Sequence, residues 1–258
     1  MNESSLKKSL SKLNLGGLRY FDSIGSTNDE AMVWAASGAK DFSLVVADEQ
    51  TQGRGRLDRK WLTPKNSALA ISLILRPSPA MRPHLSRTVG LAALSLADAC
   101  LKLGLVPQIK WPNDILLNGK KTAGILIESV WTGADVDSLV IGMGMNVYKA
   151  SIPPLEKLQF PATCLEDELE VKPPAREELI HDILSAFLIW RENLGTDRLI
   201  KAWEDKLAFR GEQVQVRGEA MVTGVLDGLE PDGSLRLRNS EGKSIVVNFG
   251  DVSLRPAA

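Results

Sequence analysis

Hydrophobic residues fall along this chain in short runs whose spacing changes from region to region, and the elements follow from those changes. Residues 1–17 are polar and rich in serine and lysine, which predicts a loose tail or a short helix. Leu18 to Asp22 reads as a strand. Thr27 and Glu30 then stand at capping-box spacing, so a helix is expected from here to about Ser37, with Gly38 as its stop. Phe42 to Ala47 and Ser67 to Leu75 are apolar runs of strand length. Ser86 to Gly104, rich in alanine and leucine and apolar almost all round, predicts a buried helix. The runs Gln108–Leu117, Thr122–Val130 and Leu139–Met145 are joined by turn sequences at 118–119 and 133–135, the pattern of an antiparallel meander. Residues 150–174 hold five prolines and predict a long surface connection. Arg176 to Leu194 carries Leu179, Ile180, Ile183, Leu184, Phe187 and Trp190 at helical spacing, and a second helix should run from about Asp197 to Phe209.

Beyond Gly211 the pattern shortens again. Gln213–Arg217, Met221–Leu226, Ser234–Leu237 and Ser244–Phe249 alternate and are separated by glycine-bearing turns, which predicts a small, partly open β-barrel. The chain is thus expected to be α+β: a tail (1–17), a mixed sheet with flanking helices (18–209), and a small C-terminal β-barrel (210–258).

Composition narrows the function without naming it. A length of 258 residues with 44% hydrophobic and 24% charged residues is that of an ordinary globular protein with room for two domains. A formal net charge of −1 argues against a polyanion binder, so no nucleic-acid partner is expected. No apolar run approaches the ~18 residues of a membrane helix, and the N-terminus lacks a signal peptide's hydrophobic segment. Neither a membrane partner nor export is expected, and a cytoplasmic location follows by default. The two cysteines and two histidines have no metal-ligand spacing, and Cys100 lies in an apolar helical run as a core residue.

Candidate chemistry concentrates where the runs break. GRGRLDRKW, Gly53 to Trp61, sets Arg54, Arg56, Arg59 and Lys60 beside two glycines, after the Phe42–Ala47 strand. Glycine lets a backbone approach a ligand closely, and guanidinium forks match phosphate and carboxylate oxygens. The plainer reading of such a loop is a solvated basic surface. Ser26, Thr27 and Asn28 serve a helix start, though free N–H groups beside short polar side chains also suit a small ligand. KWPNDI, Lys110 to Ile115, brings a cation, an indole and a carboxylate; Asp114 is a turn residue or an oxygen ligand for Mg²⁺. KKTAGILIE, Lys120 to Glu128, sets two lysines at a strand start. GMGMNV, Gly142 to Val147, ends a strand in two glycines and Asn146 without forming a dinucleotide fingerprint. No P-loop occurs. Together these residues call for a site that clamps two anions and a flat polar group, as in the activation of a carboxylate on ATP. There fixed cations and Mg²⁺ must offset the repulsion of two negative partners, and a loop must keep the mixed anhydride dry.

At these residues the chain resembles the biotin protein ligases. STN at 26–28, GRGRLDRKW at 53–61, KWPND at 110–114, KTAGIL at 121–126 and GMGMN at 142–146 occur in the family's order, over about residues 18–255. The resemblance implies a catalytic fold like that of class II aminoacyl-tRNA synthetases with a small C-terminal β-barrel. It implies formation of biotinyl-5′-AMP from biotin and ATP with Mg²⁺, then transfer to one lysine of a biotin carboxyl carrier domain of acetyl-CoA carboxylase or a related biotin-dependent enzyme. Carried over, Ser26, Thr27, Asn28, Gln50, Arg54, Gly55, Arg56, Lys121 and Gly124 would meet biotin. Arg56, Arg59, Trp61, Lys110, Asn113, Asn146 and Arg255 would meet ATP, and Asp114 the metal. Lys121, Arg56 and Asp114 would be catalytic, Asp114 standing also as the candidate base for the second step. Family members are often homodimers.

Two departures from the family pattern matter. Leu57-Asp58 replaces a less acidic pair that usually has glycine or asparagine second, and Asp58 should weaken anion binding. Only about 25 residues precede Ser26, too few for a helix-turn-helix domain, so an enzyme without a repressor role is expected. The competing readings are a lipoate–protein ligase of the same fold, which lacks the GRGR…W loop, and a non-catalytic biotin sensor.

Overall fold

Residues 1–154, 156, 158, 160–218, 221–248 and 253–256 are described by a computed structural model. The helices are α1 (Glu3–Ser9), α2 (Thr27–Ala36), α3 (Thr88–Lys102), α4 (Leu165–Glu168), α5 (Arg176–Glu192) and α6 (Asp197–Asp205). The first seven strands are β1 (Gly17–Phe21), β2 (Ser43–Ala47), β3 (Ala68–Leu75), β4 (Pro107–Lys110), β5 (Asp114–Leu117), β6 (Lys120–Thr132) and β7 (Asp135–Asn146). They form one sheet in the order β1-β2-β3-β7-β6-β5-β4. Only β1 and β2 run parallel, so the sheet is mixed, and β4 to β7 are the expected meander.

Every residue of β2 and β3 is buried, as befits central strands covered on both faces. Alternation assigns the faces: Leu44, Val46 and Leu73 join the core under α3 and α5, while Val45 and Ile74 join Ala31 and Ala35 of α2. Helix α3 is buried almost all round, and a Cβ at Gly90 would collide with the Trp203 indole of α6, so only glycine permits that close crossing.

Strands β8 (Gln213–Arg217), β9 (Met221–Leu229), β10 (Leu235–Arg238), β11 (Ser244–Val247) and β12 (Ser253–Pro256) form a second, antiparallel sheet in the order β11-β10-β9-β8-β12. This is the expected small β unit; Phe249, the expected end of one run, lies outside the described residues. The sheet is tied to the rest of the molecule. Val214, Val216, Leu226 and Leu254 join the main core, and the buried Trp111 Nε1–H donates to the Gly233 carbonyl at 3.1 Å.

Of the two readings of residues 1–17 the short helix is the one formed, with a capping box between Asn2 and Ser5 and Leu6 fully buried. The structure departs from the sequence reading in two places. Helix α2 begins after Ser26 and has no side-chain cap, so the capping box read at Thr27 and Glu30 is not formed. Glu30 instead pairs with Arg19 at 2.5 Å, and the side chains of Thr27 and Asn28 turn toward the sheet. The connection after β7 does more than cross the surface. Lys121 N–H donates to the Pro161 carbonyl (2.7 Å) and Thr163 N–H to the Lys121 carbonyl (2.9 Å), pinning the connection beside the start of β6.

Candidate active site

One cavity of about 430 Å³ opens where the β3, β6 and β7 strands, the N-terminus of α2 and the 53–61 loop converge. Every site residue expected from the sequence lines it. Ser26, Thr27, Asn28 and Gln50 stand together, as do Arg54, Gly55, Arg56, Arg59 and Trp61 of the loop. Lys110, Asn113, Asp114, Lys121, Gly124, Asn146 and Arg255 complete the lining. Seven cations and one carboxylate face this space, so its charge suits an anion in a chain that is nearly neutral as a whole.

The polar end is built on α2 and β3. Gln50 Oε1 accepts from Thr27 N–H (2.8 Å) and from the Thr27 hydroxyl (3.0 Å). The Ser72 hydroxyl donates to Asn28 Oδ1 at 2.6 Å, and Asn28 Nδ2 donates to Glu128 Oε2 at 2.7 Å. Gly142 lets the Asn28 amide lie against β7, since a Cβ there would occupy the amide's place. The two close glycines of GMGMN are therefore clearance for side chains. Gly144, with Gly124 across the pairing, does the same for the Trp61 indole, whose buried Nε1–H has no hydrogen-bond partner among the described residues.

At the other end lies a buried charge cluster. Asp114 places one oxygen 2.5 Å from Lys121 Nζ and the other 3.4 Å from Lys110 Nζ. Burial pushes the Asp114 carboxyl up, but the two ammoniums outweigh it and hold it below the ordinary carboxylate range. Burial also drives Lys110, despite Asp114, down to about 8. Arg255, reaching in from β12, is lowered by burial and then by its neighbour Arg59. Lys110 (5.1 Å) and Arg255 (5.5 Å) both lie over the Phe160 ring. Arg56 Nη1 donates to Asn113 Oδ1 at 3.1 Å, while Asn113 Nδ2 donates to the Ile125 carbonyl, so this loop cation is aimed by a fixed amide.

The Mg²⁺ role read for Asp114 does not fit these surroundings. Both of its oxygens face ammonium groups, and no group of three His, Cys, Asp or Glu side chains suited to a metal occurs among the described residues. Each Asp114 oxygen has one lysine ammonium as its partner.

The loop itself is a small hairpin. Arg54 and Lys60 pair, Gly55 N–H donates to the Arg59 carbonyl at 2.6 Å, and Leu57 (φ 56°) and Asp58 (φ 55°) form the left-handed tip. The turn thus survives the departure at Leu57-Asp58, with two non-glycine residues in the region glycine favours. Arg54 points away from the cation cluster. It forms a two-bond fork with Glu128 (2.9 and 2.7 Å) and meets Asp29 at 2.6 Å. Reading the sequence alone missed Ser72, Glu128 and Phe160. For Glu128 a signal existed: it alternates with Gly124 and Leu126 on one face of β6, and both of those line the cavity.

Comparison with known proteins agrees with this geometry. Residues 20–146 match the biotin/lipoate A/B protein ligase family, and residues 209–255 match the biotin protein ligase C-terminal domain. A biotin–[acetyl-CoA-carboxylase] ligase of Paracoccus denitrificans is 35% identical, over 86% of this chain and 94% of its own length. A bifunctional ligase/repressor of Bacillus spizizenii is 33% identical, over 94% of this chain and 76% of its own. Among solved structures, the Aquifex aeolicus biotin protein ligase in complex with biotin and ATP superposes with a TM-score of 0.80 at 28% identity, covering 93% of this chain and 99% of that one.

Proposed function

The chain belongs to the biotin protein ligase family, and from that premise we infer how its cavity performs a ligase reaction. The protein is an ATP-dependent biotin–protein ligase. In the first step a biotin carboxylate oxygen bonds to the α-phosphorus of ATP and pyrophosphate departs. In the second, a carrier-domain lysine amine attacks the carbonyl of biotinyl-5′-AMP, losing a proton as AMP leaves.

The observation that carries this reading is the convergence of Arg56, Arg59, Lys110, Lys121 and Arg255 on one cavity that also holds a neutral hydrogen-bonding end. We assign the Ser26–Asn28 end, with Gln50 and Gly124, to biotin. Lys121 belongs where the carboxylate meets the α-phosphate, and Lys110, Asn113, Asn146 and Arg255 belong on the nucleotide side. Fixed ammonium and guanidinium groups there offset repulsion between the two anions and need no reorganisation as the bond forms. Asp114 keeps Lys110 and Lys121 close in spite of their mutual repulsion, and Mg²⁺ enters as the companion of ATP. Trp61 forms a flat wall on the adenine side. Arg54 and Gly55 fix the hairpin that carries Arg56 over the mixed anhydride.

The acceptor we assign is a biotin carboxyl carrier domain, as the name of the Paracoccus relative suggests. The catalytic part is taken as 18–209 and the C-terminal part as 210–258, a division supported by the two separate family matches. The net charge of −1 supports a reading without a nucleic-acid partner, which specific binding to a biotin operator would overturn. No helix among the described residues is long and apolar enough to cross a membrane, and a cytoplasmic site of action without a membrane partner is our assignment. A homodimer is also proposed: beyond Ile125, which bonds to Asn113, the outer edge of β6 has no strand partner among the described residues, and Trp131 at its tip is 59% exposed. Sedimentation equilibrium tests it, a monomer at all concentrations being the contrary result.

Lipoate ligation is the less favoured reading, since the GRGR…W hairpin and the biotin-ligase C-terminal match both point elsewhere. Incubation with ATP, Mg²⁺, biotin and a carrier domain, read by mass spectrometry, should give a single biotinyl adduct. An adduct with lipoate and none with biotin would exchange the two readings.

A further inference from the structure

We propose that Glu128 is a positioning residue serving two parts of the site at once. It sets the donor–acceptor orientation of the Asn28 amide, and it latches the root of the 53–61 hairpin over the cavity. The first role rests on the biotin-ligase reading; the second does not.

Glu128 stands on β6, two residues past Leu126 of the cavity wall, its side chain about a quarter exposed. Its Oε2 receives two donors, Asn28 Nδ2 at 2.7 Å and Arg54 Nη2 at 2.7 Å, and its Oε1 receives Arg54 Nη1 at 2.9 Å. An ionised carboxylate only accepts hydrogen bonds, so it forces Asn28 to turn its NH₂ toward β6 and its oxygen toward β3. There Oδ1 accepts the Ser72 hydroxyl at 2.6 Å. Ser72 Oγ also lies 2.8 Å from the Thr27 hydroxyl, whose own proton goes to Gln50 Oε1 at 3.0 Å. The choice of a carboxylate at position 128 thereby fixes which edge of the Asn28 amide donates and which accepts. A ligand with a flat edge of alternating donors and acceptors, as in a cyclic urea, is recognised by such a fixed pattern.

The latch uses the same oxygens. A fork of two charge-assisted bonds fixes a guanidinium in direction as well as distance. Arg54 is itself paired with Lys60 at the root of the hairpin. Its other partner, Asp29, is 57% exposed and accepts one bond, so the directional hold falls on Glu128.

Glu128→Gln keeps the size and removes the charge that dictates both orientations. In biotin-dependent ATP–pyrophosphate exchange, the variant should raise KM for biotin about tenfold while KM for ATP moves by less than about twofold. Limited trypsin digestion of the ligand-free protein should cut faster after Arg56, Arg59 or Lys60. Asn28→Asp should raise the biotin KM by facing one carboxylate with another, and adding Glu128→Gln to it should recover part of the loss, because the glutamine amide can then donate to the new carboxylate. Glu128→Asp, with the charge on a shorter arm, replaces the glutamine variant if the latter does not fold, with the same two expectations. A folded Glu128→Gln protein with wild-type biotin KM and wild-type cleavage overturns the proposal, as does a double variant no better than Asn28→Asp alone. If the wild-type protein shows no exchange with biotin, the reading of the site fails, and the trypsin comparison still decides the latch.

Discussion

An ammonium 2.5 Å from a buried carboxylate, as Lys121 is from Asp114, is a charge placed with little freedom to move. Lys121→Ala should therefore cut biotinyl-adenylate formation by ~10²-fold or more, the usual loss for a fixed transition-state donor. Single-turnover formation of the adenylate measures this, and a near-wild-type rate would remove Lys121 from its assigned role. Lys110 offers a test by pH. Burial holds it at about 8, below the ordinary lysine value of 10.5, so its positive charge fades as pH rises through that value. KM for ATP should rise from about pH 7 to about pH 9, and Lys110→Met should start high and change less. The stability contribution of this lysine runs the other way. The unfolded chain keeps the proton to higher pH, so folding gains between about 8 and the ordinary value, and a fall in affinity there is not a loss of fold. These residues were legible in the sequence because clamping two anions demands cations at strand ends, and few arrangements other than a site put them there. Ser72 was not, because a serine within an apolar run looks ordinary until α2 is laid across it, and the alternation of Glu128 with Gly124 and Leu126 gives its face without its partners.

At the scale of elements, the 53–61 hairpin decides how long the intermediate stays. Its tip holds Leu57 and Asp58 at positive φ, a conformation costing an L-residue about 1–2 kcal/mol. Asp58→Gly should relieve part of that cost, tighten the hairpin and slow release of biotinyl-5′-AMP. Faster release, measured by trapping the free adenylate, would mean that the strain assists closure. Arg56→Gly should have the opposite effect and label bystander lysines, so strictly selective labelling by that variant would count against Arg56 as the retaining group. The elements themselves were readable from periodicity, the meander and the buried helix α3 most plainly. Two were misjudged for physical reasons. The start of α2 carries capping residues whose side chains have other partners, because Gln50 and Ser72 compete successfully for Thr27 and Asn28. The proline-rich connection looked external because composition reports where a chain leaves a sheet, not that residues 161–163 return to pair with Lys121.

Across the whole molecule, the two sheets are held in one register by a few long-range contacts, and the site depends on that register because Arg255 comes from the second sheet. The KWPND motif takes part in both tasks: Lys110 and Asp114 face the cavity, while Trp111 between them grips the turn at Gly233. Trp111→Phe keeps an aromatic ring but deletes the hydrogen bond, a loss of about 1 kcal/mol, together with part of the indole's packing. It should lower the melting temperature, and it should raise KM for ATP several-fold through a displaced Arg255 while leaving KM for biotin near wild type. Equal effects on both substrates would show that the indole supports the fold without aiming the arginine. The most direct test of the central claim, that these cations meet on one cavity to join biotin to ATP, is isotopic ATP–pyrophosphate exchange with biotin or lipoate as the only acid. Exchange driven by biotin and nearly abolished in Lys121→Ala is the predicted result; exchange driven by lipoate, or biotin-driven exchange indifferent to Lys121, would contradict it.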